Sequence, residues 1–104
     1  MVSIVSENIS KIAALCMKMQ VESLYLFGSA VHGDEFSADS DLDFLLRYKR
    51  DNEGLPLHPF DYFDLLFSLE EITGRKVDLV VEDGIKNSFF KEQVEKEKIR
   101  IYEA

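Results

Sequence analysis

Apolar positions change their spacing along the chain, and each spacing predicts a different element. Near the N-terminus four residues recur at helical intervals: Ile9, Ile12, Ala13 and Cys16. This spacing predicts a helix over roughly residues 6–20, with Ser6 as its N-cap. A second helix is predicted from Pro59, in its first turn, to Gly74 just past its end. Its broad apolar face is expected in the core and carries Phe60, Phe63, Leu66, Phe67, Leu69 and Ile72. A third helix is predicted over residues 88–98, capped by its first residue, with Phe90 and Val94 turned inward.

Four shorter runs are rich in the residues that favour strands, and they are separated by the predicted helices and turns. They are residues 23–27, 42–48, 77–81 and a short edge strand at 99–102. Because helices and strands alternate, we predict an α+β fold with helices packed on one face of a small mixed sheet. A chain of 104 residues leaves no room for a second domain, so residues 1–104 are expected to form one domain.

The charge of the chain is strongly acidic, with a formal net charge of −8. Because general nucleic-acid binders attract phosphates with a basic surface, direct binding of nucleic acid is not expected. No apolar run approaches the roughly 18 residues that a membrane helix needs, and the N-terminus lacks the pattern of a signal peptide. We therefore expect a cytoplasmic protein with no membrane partner.

Acidic residues are concentrated in one segment, and two of them lie against a strand. Residues 34–46 contain five acids and no base: Asp34, Glu35, Asp39, Asp41 and Asp43. A solvated loop explains such a run in general, but Asp41 and Asp43 adjoin an apolar stretch. The nearest basic residues downstream, Arg47, Lys49 and Arg50, fit either a solvated strand end or a contact with a nucleotide or partner.

Three carboxylates are placed within or beside apolar strands and need an explanation. Since side chains alternate along a strand, Asp41 and Asp43 should point to the same face. Asp78 interrupts a later strand, and all three carboxylates can converge if the two strands are neighbours. Burying unpaired, mutually repelling carboxylates is costly, and a divalent cation removes that cost. All-oxygen ligation favours Mg²⁺ or Mn²⁺. The simpler alternatives are an acidic strand edge, and a salt bridge from Asp78 to Lys76 or Arg75.

A glycine and a serine follow the first predicted strand and suggest a second part of the same site. Gly28 would let the backbone turn sharply and approach a ligand closely. Backbone N–H groups and the Ser29 hydroxyl could then bind phosphate oxygens, although Ser29 could also simply cap a short helical turn. Phosphates and divalent ions commonly occur together in such sites.

These segments resemble a known family. The residues from Phe27 to Gly33, from Ser40 to Leu45 and from Lys76 to Val80 are similar to motifs of the minimal nucleotidyltransferases. Those proteins are the smallest members of the DNA polymerase beta superfamily, which includes kanamycin nucleotidyltransferase. The shared pattern is Gly-Ser, a gap, Asp-x-Asp, and a third Asp on a later strand. Eleven residues separate Ser29 from Asp41, about one more than the pattern has, so we expect a bulged loop.

The resemblance implies a polymerase beta-like nucleotidyltransferase fold and a role for each motif residue. Asp41 and Asp43 would hold two Mg²⁺ ions, or Mn²⁺, and Asp78 would complete the metal site and act as the general base. Gly28 and Ser29 would bind the β and γ phosphates of a nucleoside triphosphate, expected to be ATP.

The resemblance also implies a partner, because minimal nucleotidyltransferases are commonly encoded beside HEPN-domain toxins. The leading interpretation is an antitoxin that transfers AMP to a hydroxyl of its toxin. The alternatives are a non-catalytic antitoxin that neutralises by contact, and an enzyme that nucleotidylates a small molecule such as an antibiotic. The absence of a second domain to hold a small acceptor disfavours the last. The acceptor itself does not follow from these residues.

Overall fold

The predicted helices and strands occur in the predicted order, and three short helical segments are added to them. The computed structural model describes residues 1–33 and 36–104. Its helices and strands are α1 Ser3–Ser6, α2 Ile9–Met19, β1 Val21–Phe27, α3 Ser29–His32, β2 Leu42–Tyr48, α4 Tyr62–Thr73, β3 Val77–Val81, a 3₁₀ turn Glu82–Gly84, α5 Ser88–Glu97 and β4 Ile99–Glu103. No described helix is long and apolar enough to cross a membrane. The loop before Asp41, in which a bulge is expected, includes Asp34 and Glu35. These two residues lie outside the described residues.

The sheet is mixed, as predicted, and has the strand order β3-β2-β1-β4. Strand β1 is antiparallel to both β2 and β4, whereas β3 runs parallel to β2. Two neighbouring parallel strands need a crossover, and α4 lies in the connection between them. The prediction of an α+β fold with helices on a small mixed sheet is confirmed.

Side chains alternate between the two faces of the sheet, and each face is packed differently. On one face Leu26 and Phe44 belong to the main core, which also includes buried residues of α2 and α4. On the other face Phe27, Leu45 and Val94 of α5 form a second, smaller cluster. The prediction that helices pack on one face is therefore wrong for α5. The reason is that Val94 gives α5 an apolar contact, whereas most of its other residues are polar and exposed.

Helix starts are displaced from the predicted positions. Ser6 ends the short helix α1 and caps nothing, because α2 begins separately at Ile9. Helix α4 begins beyond Pro59, at Tyr62, where the Asp61 carboxylate accepts a hydrogen bond of 2.8 Å from the Phe63 amide. Asn87, one residue before the predicted Ser88, caps α5 by accepting from the Phe90 amide. In the last two cases a side-chain oxygen reaches an otherwise unpaired amide of the first turn, which fixes the helix start.

The apolar face predicted for the second helix differs from the buried stripe of α4, because it includes Leu69 but neither Leu65 nor Thr73. Leu65, Leu69 and Thr73 are buried, at the spacing of four that one narrow face requires. Phe63 and Phe67 are 57% and 59% exposed, so their predicted core position is wrong. Their rings stack on each other at 6.0 Å on the solvent side. Phe60 precedes the helix and stacks on Tyr48.

This difference in burial predicts unequal effects for one substitution at two phenylalanines. Phe67→Leu should change the free energy of unfolding by less than about 0.5 kcal/mol, because the lost ring area is largely solvated. Phe44→Leu should lower it by about 1–2 kcal/mol, because Phe44 is fully buried and the smaller side chain leaves a cavity. Urea denaturation of both variants measures the two values. Equal losses would show that Phe67 is covered in solution.

Candidate active site

Two of the three predicted carboxylates meet across neighbouring strands. Strands β2 and β3 pair in parallel, and Asp43 lies directly opposite Asp78 in the register. The two strands that carry Asp43 and Asp78 are therefore neighbours, which is the condition for their carboxylates to lie close together. Paired residues of a parallel ladder point to the same face, which here is the face that carries Leu45 and the cluster with α5. Asp43 is half-buried, whereas Asp78 is exposed.

Gly28 lies against the Asp43 carboxylate, because Phe27 pairs with Asp43 at the end of β1. Gly28 has φ 75° and ψ −155°, a conformation that is essentially restricted to glycine. A Cβ atom at this position would lie 2.3 Å from Asp43 Oδ2. The half-buried Ser29 follows at once and begins α3. The predicted turn and the predicted carboxylate are therefore in contact.

Asp41 precedes β2 and is not part of the strand. Its backbone is close to the start of β3, since the Leu42 amide donates to the Lys76 carbonyl at 2.9 Å. Asp41 is exposed and lines an open cavity of about 290 Å³ together with residues that include Arg75 and Lys76. It is close enough to Asp43 for its charge to affect the ionisation of that group.

Burial and neighbouring negative charges both act on the ionisation of Asp43. Burial, followed by the negative charges of Asp78, Asp41 and Glu97, raises the pKa of Asp43 from 3.8 to about 6. Glu97 at the end of α5 was missed by sequence reasoning. Nothing in the pattern of α5 indicates that this helix crosses the face of the sheet that carries Asp43.

Tyr62 is a second residue near the site that the sequence did not indicate. Its hydroxyl donates a hydrogen bond to the Leu79 carbonyl of β3. Burial and the charge of Asp78 raise the pKa of Tyr62. Tyr62 therefore joins the start of α4 to the strand that carries Asp78.

Salt bridges do not account for the three aspartates. Within the described residues, ion pairs join Arg47 to Glu82, Arg50 to Asp83, Lys98 to Glu95 and Arg100 to Glu103. The alternative of a bridge from Asp78 to Lys76 or Arg75 is not among them. Two members of the basic cluster, Arg47 and Arg50, are thus paired with acids that follow β3.

The donor chemistry of this site suits a divalent cation, although the side chains are not closed around one point. In the ranges 1–33 and 36–104, no three acidic, histidine or cysteine groups are placed to hold a single metal ion. Burial and the charges of Asp78 and Asp41 nevertheless raise the pKa of Asp43, and a bound cation would offset both effects. Oxygen donors alone favour Mg²⁺ or Mn²⁺ over zinc. The residues present therefore fit such an ion.

Comparison with known proteins agrees with this geometry. The sequence matches the family described as Polymerase beta, Nucleotidyltransferase over residues 8–104. A protein of Methanocaldococcus jannaschii, named as a candidate protein adenylyltransferase, is 33% identical over 86 residues, which are 81% of this chain and 80% of that protein.

Solved structures with the same fold include a candidate minimal nucleotidyltransferase and a toxin–antitoxin complex. The first is 32% identical, with a TM-score of 0.71, over 91% of this chain and 90% of that chain. The second is the complex of a tri-AMPylated Shewanella oneidensis HEPN toxin with its MNT antitoxin. One chain of that complex matches 96% of this chain over 73% of its own length, at 20% identity and a TM-score of 0.61, which compares the folds only.

The fold and these matches together identify the class of protein. The chain belongs to the polymerase beta nucleotidyltransferase family, and the resemblance inferred from the motifs is confirmed. It is a nucleotidyltransferase.

Proposed function

We propose that this nucleotidyltransferase transfers AMP from ATP to a hydroxyl group of a partner protein. The observation that carries the proposal is the pairing of Asp43 with Asp78 across β2 and β3, with Gly28 against the Asp43 carboxylate. This arrangement puts a close backbone approach and interacting carboxylates at one place, as transfer of a phosphoryl group requires. The name of the relative from Methanocaldococcus jannaschii supports a protein acceptor.

Each residue of the site has a proposed role. Asp41 and Asp43 would hold two Mg²⁺ or Mn²⁺ ions, and Asp78 would complete their ligation. When bound, the ions supply positive charge that stabilises the attacking and leaving oxygens. Gly28 and Ser29 would bind the β and γ phosphates, because a glycine without a side chain lets backbone amides approach them.

The proposed transfer forms one bond at the α-phosphorus and breaks another. The acceptor hydroxyl oxygen forms a bond to the α-phosphorus of ATP, while the bond from that phosphorus to the oxygen bridging to the β-phosphate breaks. Pyrophosphate leaves with the electron pair. Asp78 accepts the hydroxyl proton, for which its exposed position at the rim of the site is suited.

The proposed partner is a HEPN-domain protein, with this chain acting as its antitoxin. The fold shared with the toxin–antitoxin complex, whose toxin carries AMP, supports this choice. The charge of the chain is a second reason to prefer a protein acceptor over RNA or DNA. A net charge of −8 repels nucleic-acid phosphates wherever metal ions do not neutralise the carboxylates.

Labelling of the partner tests the proposed function. A HEPN-domain protein, as the proposed partner, is incubated with this protein, Mg²⁺ and ATP labelled at the α-phosphate. We expect label on the partner with the wild-type protein and loss of at least about 100-fold with Asp41→Asn or Asp78→Asn. Asp39→Asn, which removes one exposed negative charge near Asp41, is the matched control and should label normally.

The same experiment separates the competing functions. Neutralisation of the toxin by both aspartate variants, with no label in any reaction, would establish a non-catalytic antitoxin that acts by contact. Label that appears on an aminoglycoside and not on the partner would establish a small-molecule nucleotidyltransferase. Either result would overturn the proposal.

A further inference from the structure

Arg75 makes an unusual set of contacts at the junction between α4 and β3. Its Nη2 atom donates hydrogen bonds to the carbonyl oxygens of Ser37 and Ser40, at 2.5 and 2.7 Å. Its guanidinium carbon lies 4.3 Å from the centre of the Phe36 ring. One side chain thus holds both ends of the turn at residues 37–40 and stacks on the residue before it.

The turn that Arg75 holds leads directly into Asp41. It is closed on itself, since the Ser40 amide donates to the Ser37 carbonyl at 3.1 Å and the Ser37 amide to the Ser40 hydroxyl at 3.0 Å. Such a closed turn moves as a unit unless something outside it fixes its position. Arg75 supplies this external contact.

The backbone of Asp41 is therefore held on both sides by two consecutive residues. The carbonyl of Ser40, before it, accepts from Arg75, and the amide of Leu42, after it, donates to the Lys76 carbonyl. Asp41 itself lies outside β2, so its position does not follow from the strand. Asp43, by contrast, is inside the strand and is paired on both sides, with Phe27 and with Asp78.

We propose that Arg75 is a positioning residue for Asp41, and that it fixes the distance of this carboxylate from Asp43. The inference rests on the proposed function in one respect, namely that Asp41 binds a metal ion. A lysine cannot replace Arg75, because a single ammonium group lacks the planar face that stacks on Phe36. Arg75 acts through the backbone and has no direct contact with the reacting groups.

Hydrogen exchange tests the positioning itself, independently of any activity. Arg75→Met should speed amide exchange at Ser40 and Leu42 while leaving exchange at Leu24 and Leu26 in β1 unchanged. Phe36→Leu keeps the guanidinium but removes the stacked ring, and should give a smaller change in the same amides. Arg100→Met is the matched control, since Arg100 is exposed on β4 and pairs with Glu103. Unchanged exchange at Leu42 in Arg75→Met would overturn the proposal.

Binding of Mn²⁺ in the presence of ATP, measured by electron paramagnetic resonance, tests the consequence for the site. Arg75→Met and Arg75→Lys should each weaken Mn²⁺ binding about tenfold, and Arg100→Met should not. In a protein that already carries Asp41→Asn, Arg75→Met should weaken binding by less than about twofold, because the two residues act through one group. Equal effects of Arg75→Met in both backgrounds would overturn the proposal. If Asp41→Asn alone leaves Mn²⁺ affinity unchanged, the proposed function fails, and hydrogen exchange alone decides the positioning.

Discussion

Asp43→Asn is expected to abolish transfer and, at the same time, to stabilise the metal-free protein at pH 8. Transfer should fall about a thousandfold, because the interaction of a carboxylate with bound cations contributes several kcal/mol to the transition state. Stability should rise because burial and the neighbouring negative charges disfavour the ionised form of Asp43. The neutral amide of asparagine carries no charge and does not have this cost. A loss of activity and a gain of stability from one change are typical of a residue placed for function.

The pH dependence of this gain follows from the raised pKa of Asp43. The folded protein binds a proton at Asp43 more tightly than the unfolded chain, since its pKa is about 6 in the fold and 3.8 ordinarily. The corresponding stability is fully present below about pH 3.8 and is lost as the pH rises through about 6. The advantage of Asp43→Asn over the wild type should therefore grow between pH 4 and 7 and then stay constant. A shift of this size corresponds to at most about 3 kcal/mol, and solvent screening of a half-exposed group reduces it to about 1–2 kcal/mol.

Thermal unfolding of both proteins in EDTA, measured from pH 4 to 8, checks the sign and the pH range. Adding Mg²⁺ with ATP should reverse the order, because the proposed metal site is complete only in the wild type. Asp39→Asn controls for the removal of one negative charge from the same region. A stability difference that does not change with pH would contradict the raised pKa.

Gly28→Ala should damage both the fold and the site, for two separable reasons. The backbone conformation at Gly28 costs an alanine about 1–3 kcal/mol of stability, since side chains are rarely accommodated there. The added methyl group would also lie 2.3 Å from Asp43 Oδ2, so the carboxylate must turn away. Because a displacement of about 1 Å in a reacting arrangement can cost about a hundredfold in rate, we expect transfer to fall by at least that factor.

A second glycine gives the control for this substitution. Gly84 lies in the 3₁₀ turn after β3, and a Cβ atom there would meet nothing within 4 Å. Gly84→Ala should change stability by less than about 0.5 kcal/mol and leave transfer unaltered. Urea denaturation and the partner-labelling reaction measure the two effects. If Gly28→Ala retained full transfer activity, the close approach of Gly28 to Asp43 would have no part in the reaction.

The elements that sequence could predict are those in which one local signal decides the structure. The strands that carry Asp43 and Asp78 are predicted from runs of strand-favouring residues, and the two aspartates stand out because they interrupt those apolar runs. Gly74 was placed correctly at the end of α4, where a left-handed backbone favours glycine. From the sequence, the adjacency of these two strands is only a condition for the site, and their parallel pairing is not predicted, since register depends on contacts between distant segments.

The features that the sequence did not indicate depend on which of several similar patterns is buried. The apolar residues of α4 fit more than one helical face, and packing against the sheet buries Leu65, which lies outside the predicted face, while leaving Phe63 and Phe67 exposed. The position of α5 on the second face, which brings Glu97 near Asp43, likewise rests on the single buried Val94. Such choices follow from the three-dimensional fit of the whole core.

The parallel pairing of β2 and β3 has a consequence for how the active site forms during folding. Asp43 and Asp78 are far apart in sequence, with the whole of α4 between them, and their strands can pair only after this long loop closes. Contacts of this kind are slow to form, because the entropy of loop closure is lost before the pairing compensates for it. The two halves of the site should therefore join late. A partly folded chain in which β3 has not docked on β2 would contain Asp41 and Asp43 without Asp78, so the proposed active site would be complete only after β3 has paired.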